Sequence, residues 1–159
     1  GKLSLSLRID RIDHTIDKNQ ILIDYKTGNI NPGEWFTERI LSPQLPLYSN
    51  VISPMGVYFA QTKKGEMGMR GVQHLEDKNS SIKFIKIQKP NKFSEKIGDP
   101  TWENLLTYWR KKTSYLANEF LSGRLSIEPT LKQNTCKNCD LESFCRVWEL
   151  NHENEGNDS

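Results

Sequence analysis

The stretch ILIDYKTG, residues 21–28, decides the fold. Ile21, Leu22 and Ile23 read as a buried strand, yet that strand closes on two opposite charges, Asp24 and Lys26. Side chains two apart on a strand share a face, so Asp24 and Lys26 lie together while Ile23 and Tyr25 turn to the other side. Upstream, Leu3, Leu5, Leu7 and Ile9 alternate with Ser4, Ser6, Arg8 and Asp10, the period of a strand with one buried face. The polar run DKNQ at 17–20 separates the two segments as a turn, which predicts a hairpin. That hairpin brings Asp10 opposite or diagonal to the Asp24 and Lys26 pair, with Cβ atoms about 5–8 Å apart. Asp13 is expected to face away, and His14 reads as a surface turn residue.

Two carboxylates at that distance repel each other unless something positive lies between them. Lys26 supplies such a charge if the group is a structural ion pair. The alternative is a hard divalent cation, because Mg²⁺ favours one or two carboxylates, keeps waters and completes its shell with phosphate oxygens. With a metal present, Lys26 is free to orient or help deprotonate an attacking water, or to stabilise charge on a phosphate.

The rest of the chain sets the frame. At 159 residues it is about one domain, with 35% hydrophobic and 26% charged residues, a globular balance. A net charge of +2 does not by itself argue for nucleic acid. No apolar run approaches the roughly 20 residues of a membrane span, and no signal pattern opens the chain, so the expected location is the cytoplasm, with no membrane partner. The alternating pattern starts directly after Gly1, which suggests an N-terminally truncated piece of a longer polypeptide.

Residues 29–42, with Asn31, Pro32 and Gly33, read as a loop, and PQLPLYSNVI as a short helix starting near Pro43. GVYFAQT, MGMRGVQHL and IKFIKI read as further strands in a meander, with KKGE at 63–66 as an exposed hairpin tip. A helix is predicted over about 100–122, capped by Asp99, with Pro100 at its first position and Gly123 as its stop. Trp102, Leu105, Leu106, Trp109, Thr113, Leu116, Ala117 and Phe120 recur at helical spacing as a core stripe, while Arg110, Lys111 and Lys112 form a solvated face. Residues 151–159 have almost nothing to bury and are expected to be disordered.

Two further segments carry chemistry. In EWFTERI at 34–40, Trp35 can stack on a base and Arg39 hold a phosphate; otherwise Trp35 covers the core and Arg39 pairs with Glu34 or Glu38. CKNCDLESFC places Cys136, Cys139 and Cys145 with C-x2-C-x5-C spacing, which argues for a metal centre rather than a disulfide framework. Zinc and iron–sulfur clusters both normally want four ligands, and His152 is the local candidate for a fourth on zinc.

RIDRID at 8–13, IDYKTG at 23–28 and QLPLY at 44–48, in that order, closely resemble the PD-(D/E)XK nuclease superfamily. The likeness is greatest to RecB-like nuclease domains of the AddB type, the C-terminal portion of predicted bacterial DNA repair proteins, and it covers nearly the whole chain. It implies a restriction-endonuclease-like α/β core, a mixed central β-sheet flanked by helices, over residues 1–130. A cluster-binding segment over 131–150 and the tail 151–159 would follow. It implies that Asp10, Asp24 and the backbone carbonyl of Tyr25 ligate Mg²⁺ or Mn²⁺. Lys26 would be the catalytic lysine, and Gln44 and Tyr48 the Q-x-x-x-Y element that arranges site and DNA. The implied reaction is hydrolysis of DNA phosphodiesters in repair or recombination in a bacterial cytoplasm, with a helicase subunit or domain as an implied partner. A further acidic or histidine ligand of the family would lie upstream of this chain. Cys136, Cys139 and Cys145 would join a fourth cysteine, also upstream, around a [4Fe–4S] cluster. A non-catalytic DNA-binding or scaffolding domain of the same fold, and a zinc-binding interaction module, are the alternatives.

Overall fold

The computed structural model describes residues 3–74, 83–84, 94–124, 126, 129, 135–137 and 139–146. Two compact units divide the chain, Gly1–Leu121 and Ser122–Ser159. The first holds strands β1 (Arg11–His14), β2 (Gln20–Lys26), β3 (Gly56–Gln61), β4 (Gly68–Gln73) and β5 (Lys83–Phe84), paired in that order. A 3-10 helix (Pro32–Phe36) and α1 (Gln44–Ile52) lie between β2 and β3, and α2 (Ser94–Ile97) and α3 (Trp102–Leu121) follow β5. The second unit contains α4 (Glu142–Cys145). The segment 151–159 and His152 lie outside the described residues, as does most of IKFIKI. No helix among the described residues is long and apolar enough to cross a membrane.

The sheet is mixed and flanked by helices, as expected. β1 and β2 form the antiparallel hairpin, β2 and β3 run parallel, and β3 and β4 are antiparallel. A parallel pair cannot be closed by a tight turn, so the 3-10 helix and α1 form the crossover between β2 and β3. The expected meander holds for β3 and β4 alone, because β5 pairs parallel to β4. Apolar alternation specifies which face of a strand is buried and carries no information on its direction.

A second correction concerns the start of the chain. Residues 3–9 are not a strand, and Leu5 and Leu7 are 53% and 38% exposed. Extending the β1–β2 register from Arg11 opposite Ile23 puts Ile9 opposite Tyr25. The Tyr25 N–H instead donates to Asp10 Oδ2 at 3.1 Å, and the Arg8 carbonyl accepts from the Tyr48 hydroxyl. Side chains of the site take over the backbone groups that a longer ladder would use.

The core lies on one face of the sheet. Leu22, Val57 and Val72 are cross-strand neighbours and fully buried, covered by Trp35, Phe36, Leu45, Leu105 and Trp109. The Trp35 ring packs on Phe59 with centroids 4.7 Å apart and meets Trp109 edge-on at 5.9 Å. Buried indoles usually find acceptors, and two of those in the core do. Trp109 Nε1 donates to the Trp35 carbonyl and Trp102 Nε1 to the Pro54 carbonyl. Burial, and after it the charge of Glu38, raises the Tyr108 hydroxyl above its ordinary pKa.

α3 differs from its sequence reading at both ends. Its cap is Thr101, whose Oγ1 accepts from Asn104 N at 3.2 Å, because the capping side chain must directly precede the first helical residue, Trp102. The buried stripe runs from Trp102 to Thr113, whereas Phe120 is 71% exposed. Leu116, Ala117 and Phe120 line an open apolar groove with Leu3, Leu5 and Leu47.

Gly71 stands opposite Tyr58, and a Cβ there would meet the Val57 carbonyl at 2.0 Å and the Tyr58 ring at 2.5 Å. Gly68, in the same strand, has open space at that position. Gly71→Ala is therefore expected to destabilise the protein by about 2 kcal/mol or more, while Gly68→Ala stays within about 1 kcal/mol, in urea unfolding.

Candidate active site

β2 ends where the apolar core ends. Leu22 is fully buried, Asp24 on the same face is 2% exposed, and the Lys26 side chain reaches 39% exposure. Lys26 Nζ lies 2.6 Å from Asp24 Oδ2, off the line of a hydrogen bond. The buried oxygen thus has an ion-pair contact and no hydrogen bond. Lys26 Nζ also donates to Gln44 Oε1 at 3.4 Å and lies 5.8 Å from the centre of the Phe59 ring.

The same register that pairs Arg11 with Ile23 brings Asp10 level with Asp24, one residue before β1 begins. Asp10 is exposed, and its Oδ2 accepts the Tyr25 N–H. The N–H and C=O of one strand residue project to the same edge, so the Tyr25 carbonyl faces the side on which Asp10 lies. A buried carboxylate oxygen without a hydrogen bond, a second carboxylate and a backbone carbonyl are hard oxygen donors of the kind Mg²⁺ takes, so these residues fit a divalent cation.

Gln44 and Tyr48 sit one turn apart on α1 and face the site together. Gln44 Nε2 donates to the Tyr48 hydroxyl at 3.0 Å, and that hydroxyl donates to the Arg8 carbonyl. One end of this relay steers Lys26, and the other pins the segment that leads to Asp10. Asp13 lies on the opposite face of β1, where its Oδ1 is 2.6 Å from Arg11 Nε. Arg11 Nη1 donates to the Tyr25 hydroxyl at 3.0 Å. The hydrogen bond to Asp13, and then that to Tyr25, holds the guanidinium pKa above its ordinary value. His14 is exposed at the end of β1.

Of the two readings of EWFTERI, the core-covering one holds for Trp35, while Arg39 has a different ion-pair partner from the two named for it. Trp35 is 0% exposed, with its ring enclosed between Phe59 and Trp109, so it has no face to offer a base. Arg39 pairs with Glu119 at 3.3 Å rather than with Glu34 or Glu38, and Glu34 Oε2 accepts from Ser42. A partner 80 positions away on α3 leaves no local trace in EWFTERI. Gln61 was equally hidden: it is 6% exposed, and its Nε2 donates to the Gly28 carbonyl just beyond Lys26. A polar residue closing a strand of apolar ones was the available signal.

In the second unit, Cys136 and Cys145 are half-buried and Cys139 is exposed, none of them in a disulfide. Among the described residues, no three His, Cys, Asp or Glu side chains converge as a metal-ligand set.

The burial of Asp24 gives the pair a stability signature. Lys26→Met leaves a buried carboxylate without its cation, and a loss of about 1–3 kcal/mol is expected in thermal unfolding of the metal-free protein. Asp24→Asn removes the buried charge and is expected to leave stability unchanged or raised.

A family model described as the PD-(D/E)XK nuclease superfamily matches residues 1–146. No curated protein and no solved structure matches the chain.

Proposed function

The chain belongs to the PD-(D/E)XK nuclease superfamily, and from that membership we propose that it is a metal-dependent nuclease domain that hydrolyses DNA phosphodiesters. Asp10, Asp24 and the Tyr25 carbonyl would hold Mg²⁺ or Mn²⁺, and Lys26 is the catalytic lysine. The observation that carries this reading is the buried Asp24 oxygen, which has a cation beside it and no hydrogen bond.

When bound, the divalent ion supplies Lewis acidity at the phosphate and lowers the pKa of water. In the reaction a water oxygen bonds to phosphorus, one P–O ester bond breaks, and the departing oxygen ends protonated. Lys26 orients the water and stabilises the charge that develops on the phosphate oxygens. Gln44 limits where the ammonium can sit, and Tyr48 holds the backbone that leads to Asp10. The finer setting is DNA repair or recombination in an AddB-like bacterial protein, with a helicase subunit or domain delivering DNA. For the C-terminal segment, the C-x2-C-x5-C spacing supports a [4Fe–4S] site completed by a fourth cysteine outside this chain, with no part in the hydrolysis. A chain extended upstream is then expected to purify with iron and acid-labile sulfide, and the 159-residue chain without them.

Cleavage of end-labelled linear DNA tests the activity, with Mg²⁺, Mn²⁺ or EDTA, on a chain extended upstream. Asp24→Ala and Lys26→Ala are each expected to lower the rate at least about 10²-fold. A folded, extended wild type that binds DNA and never cuts it would replace this reading by the non-catalytic one.

A further inference from the structure

Three cross-strand rows run over the face of the sheet that carries Asp24. Leu22, Val57 and Val72 make the first, and all are fully buried. Asp24, Phe59 and Arg70 make the second, and Lys26, Gln61 and Gly68 the third. Residues directly opposite in register share a face, so Arg70 lies on the face of the carboxylate, two strands away. Two strand spacings amount to about 10 Å.

Arg70 is exposed, and among the described residues its side chain makes no hydrogen bond, ion pair or ring contact. Arg11 and Arg39, by contrast, are both held in ion pairs. Between Asp24 and Arg70 the row is filled by Phe59, 3% exposed, which offers no polar group to either. The β3–β4 turn adds a second cation at the same end of the sheet. Thr62 N donates to the Lys26 carbonyl at 2.9 Å and Gln61 Nε2 to the Gly28 carbonyl at 3.0 Å, which fastens the turn to the end of β2. Within it, Lys63 is engaged by Glu66 and Asn29, and Lys64 is exposed without a partner among the described residues.

A polyanion approaching Asp10 and Asp24 meets repulsion that fixed cations nearby must offset. An unpaired arginine suits that task, because its planar fork of donors matches phosphate oxygens. The geometry points to Arg70, assisted by Lys64, as the anchor for a backbone phosphate next to the one that is cleaved. This inference rests on the nuclease reading above and assigns it a substrate-positioning residue that touches no reacting atom.

The test uses the chain extended upstream, as for cleavage, and a fluorescent DNA oligonucleotide, with Ca²⁺ replacing Mg²⁺ for binding, in anisotropy titrations over a series of KCl concentrations. Arg70→Ala is expected to weaken binding about tenfold and to make the slope of log K against log salt shallower by about one. Arg70→Lys should recover part of the loss, and Lys64→Ala should produce a smaller one. Hydrolysis of bis(p-nitrophenyl) phosphate, which has no flanking phosphate, should be unchanged in Arg70→Ala, as should the melting temperature. Wild-type affinity and salt slope in Arg70→Ala overturn the inference alone. So does an equal loss on the small ester. A wild type that neither binds nor cleaves DNA overturns the nuclease reading and this inference with it.

Discussion

Asp24 is 2% exposed, and a carboxylate buried that deeply is costly unless a cation or a metal compensates it. The neighbouring architecture answers that constraint. Lys26 supplies the nearest charge from the same face of β2, and the parallel pairing with β3 fixes the depth at which both lie. Phe59, level with Asp24 on β3, gives the ammonium an aromatic floor and joins the site to the packed tryptophans. The boundary between core and chemistry is one strand residue wide, from Leu22 to Asp24.

Much of this was legible in the sequence, because strand periodicity is a local property. Asp24 and Lys26 share a face for the reason that any two residues two apart do. The hairpin that brings Asp10 level with Asp24 followed from the polar turn at 17–20. Gln44 and Tyr48 were legible as a pair through their helical spacing and family resemblance, whereas what each bonds to was not. The Arg8 carbonyl carries no side-chain signature, and it became visible only with the backbone in place.

The misreadings and the alternatives that the sequence left open share a cause. Leu3, Leu5 and Leu7 alternate as a strand does, but pairing ends where Asp10 claims the Tyr25 N–H. Trp35 lies in a loop rich in polar residues, and only the fold shows that the loop folds inward as a 3-10 helix with Trp35 and Phe36 beneath α3. Arg39 and Glu119 meet because Trp35 and Phe36, just before Arg39, pack on Tyr108 and Trp109 of α3, a tertiary fact that neither segment encodes alone. Arg70 lay inside an ordinary strand pattern, and its relation to Asp24 needed two successive strand registers.

The bond from Tyr48 to the Arg8 carbonyl spans 40 residues, and that from Tyr25 to Asp10 spans 15. The carbonyl of Lys26 meets its partner only at Thr62. No stretch shorter than the whole span from Arg8 to Thr62 therefore contains the arrangement, and loop closure makes contacts of that separation slow to form. During synthesis, the carboxylates emerge before the crossover and β3 and remain unorganised until these have followed. A chain that could cut the nucleic acid around it acquires its geometry only as a consequence of having folded.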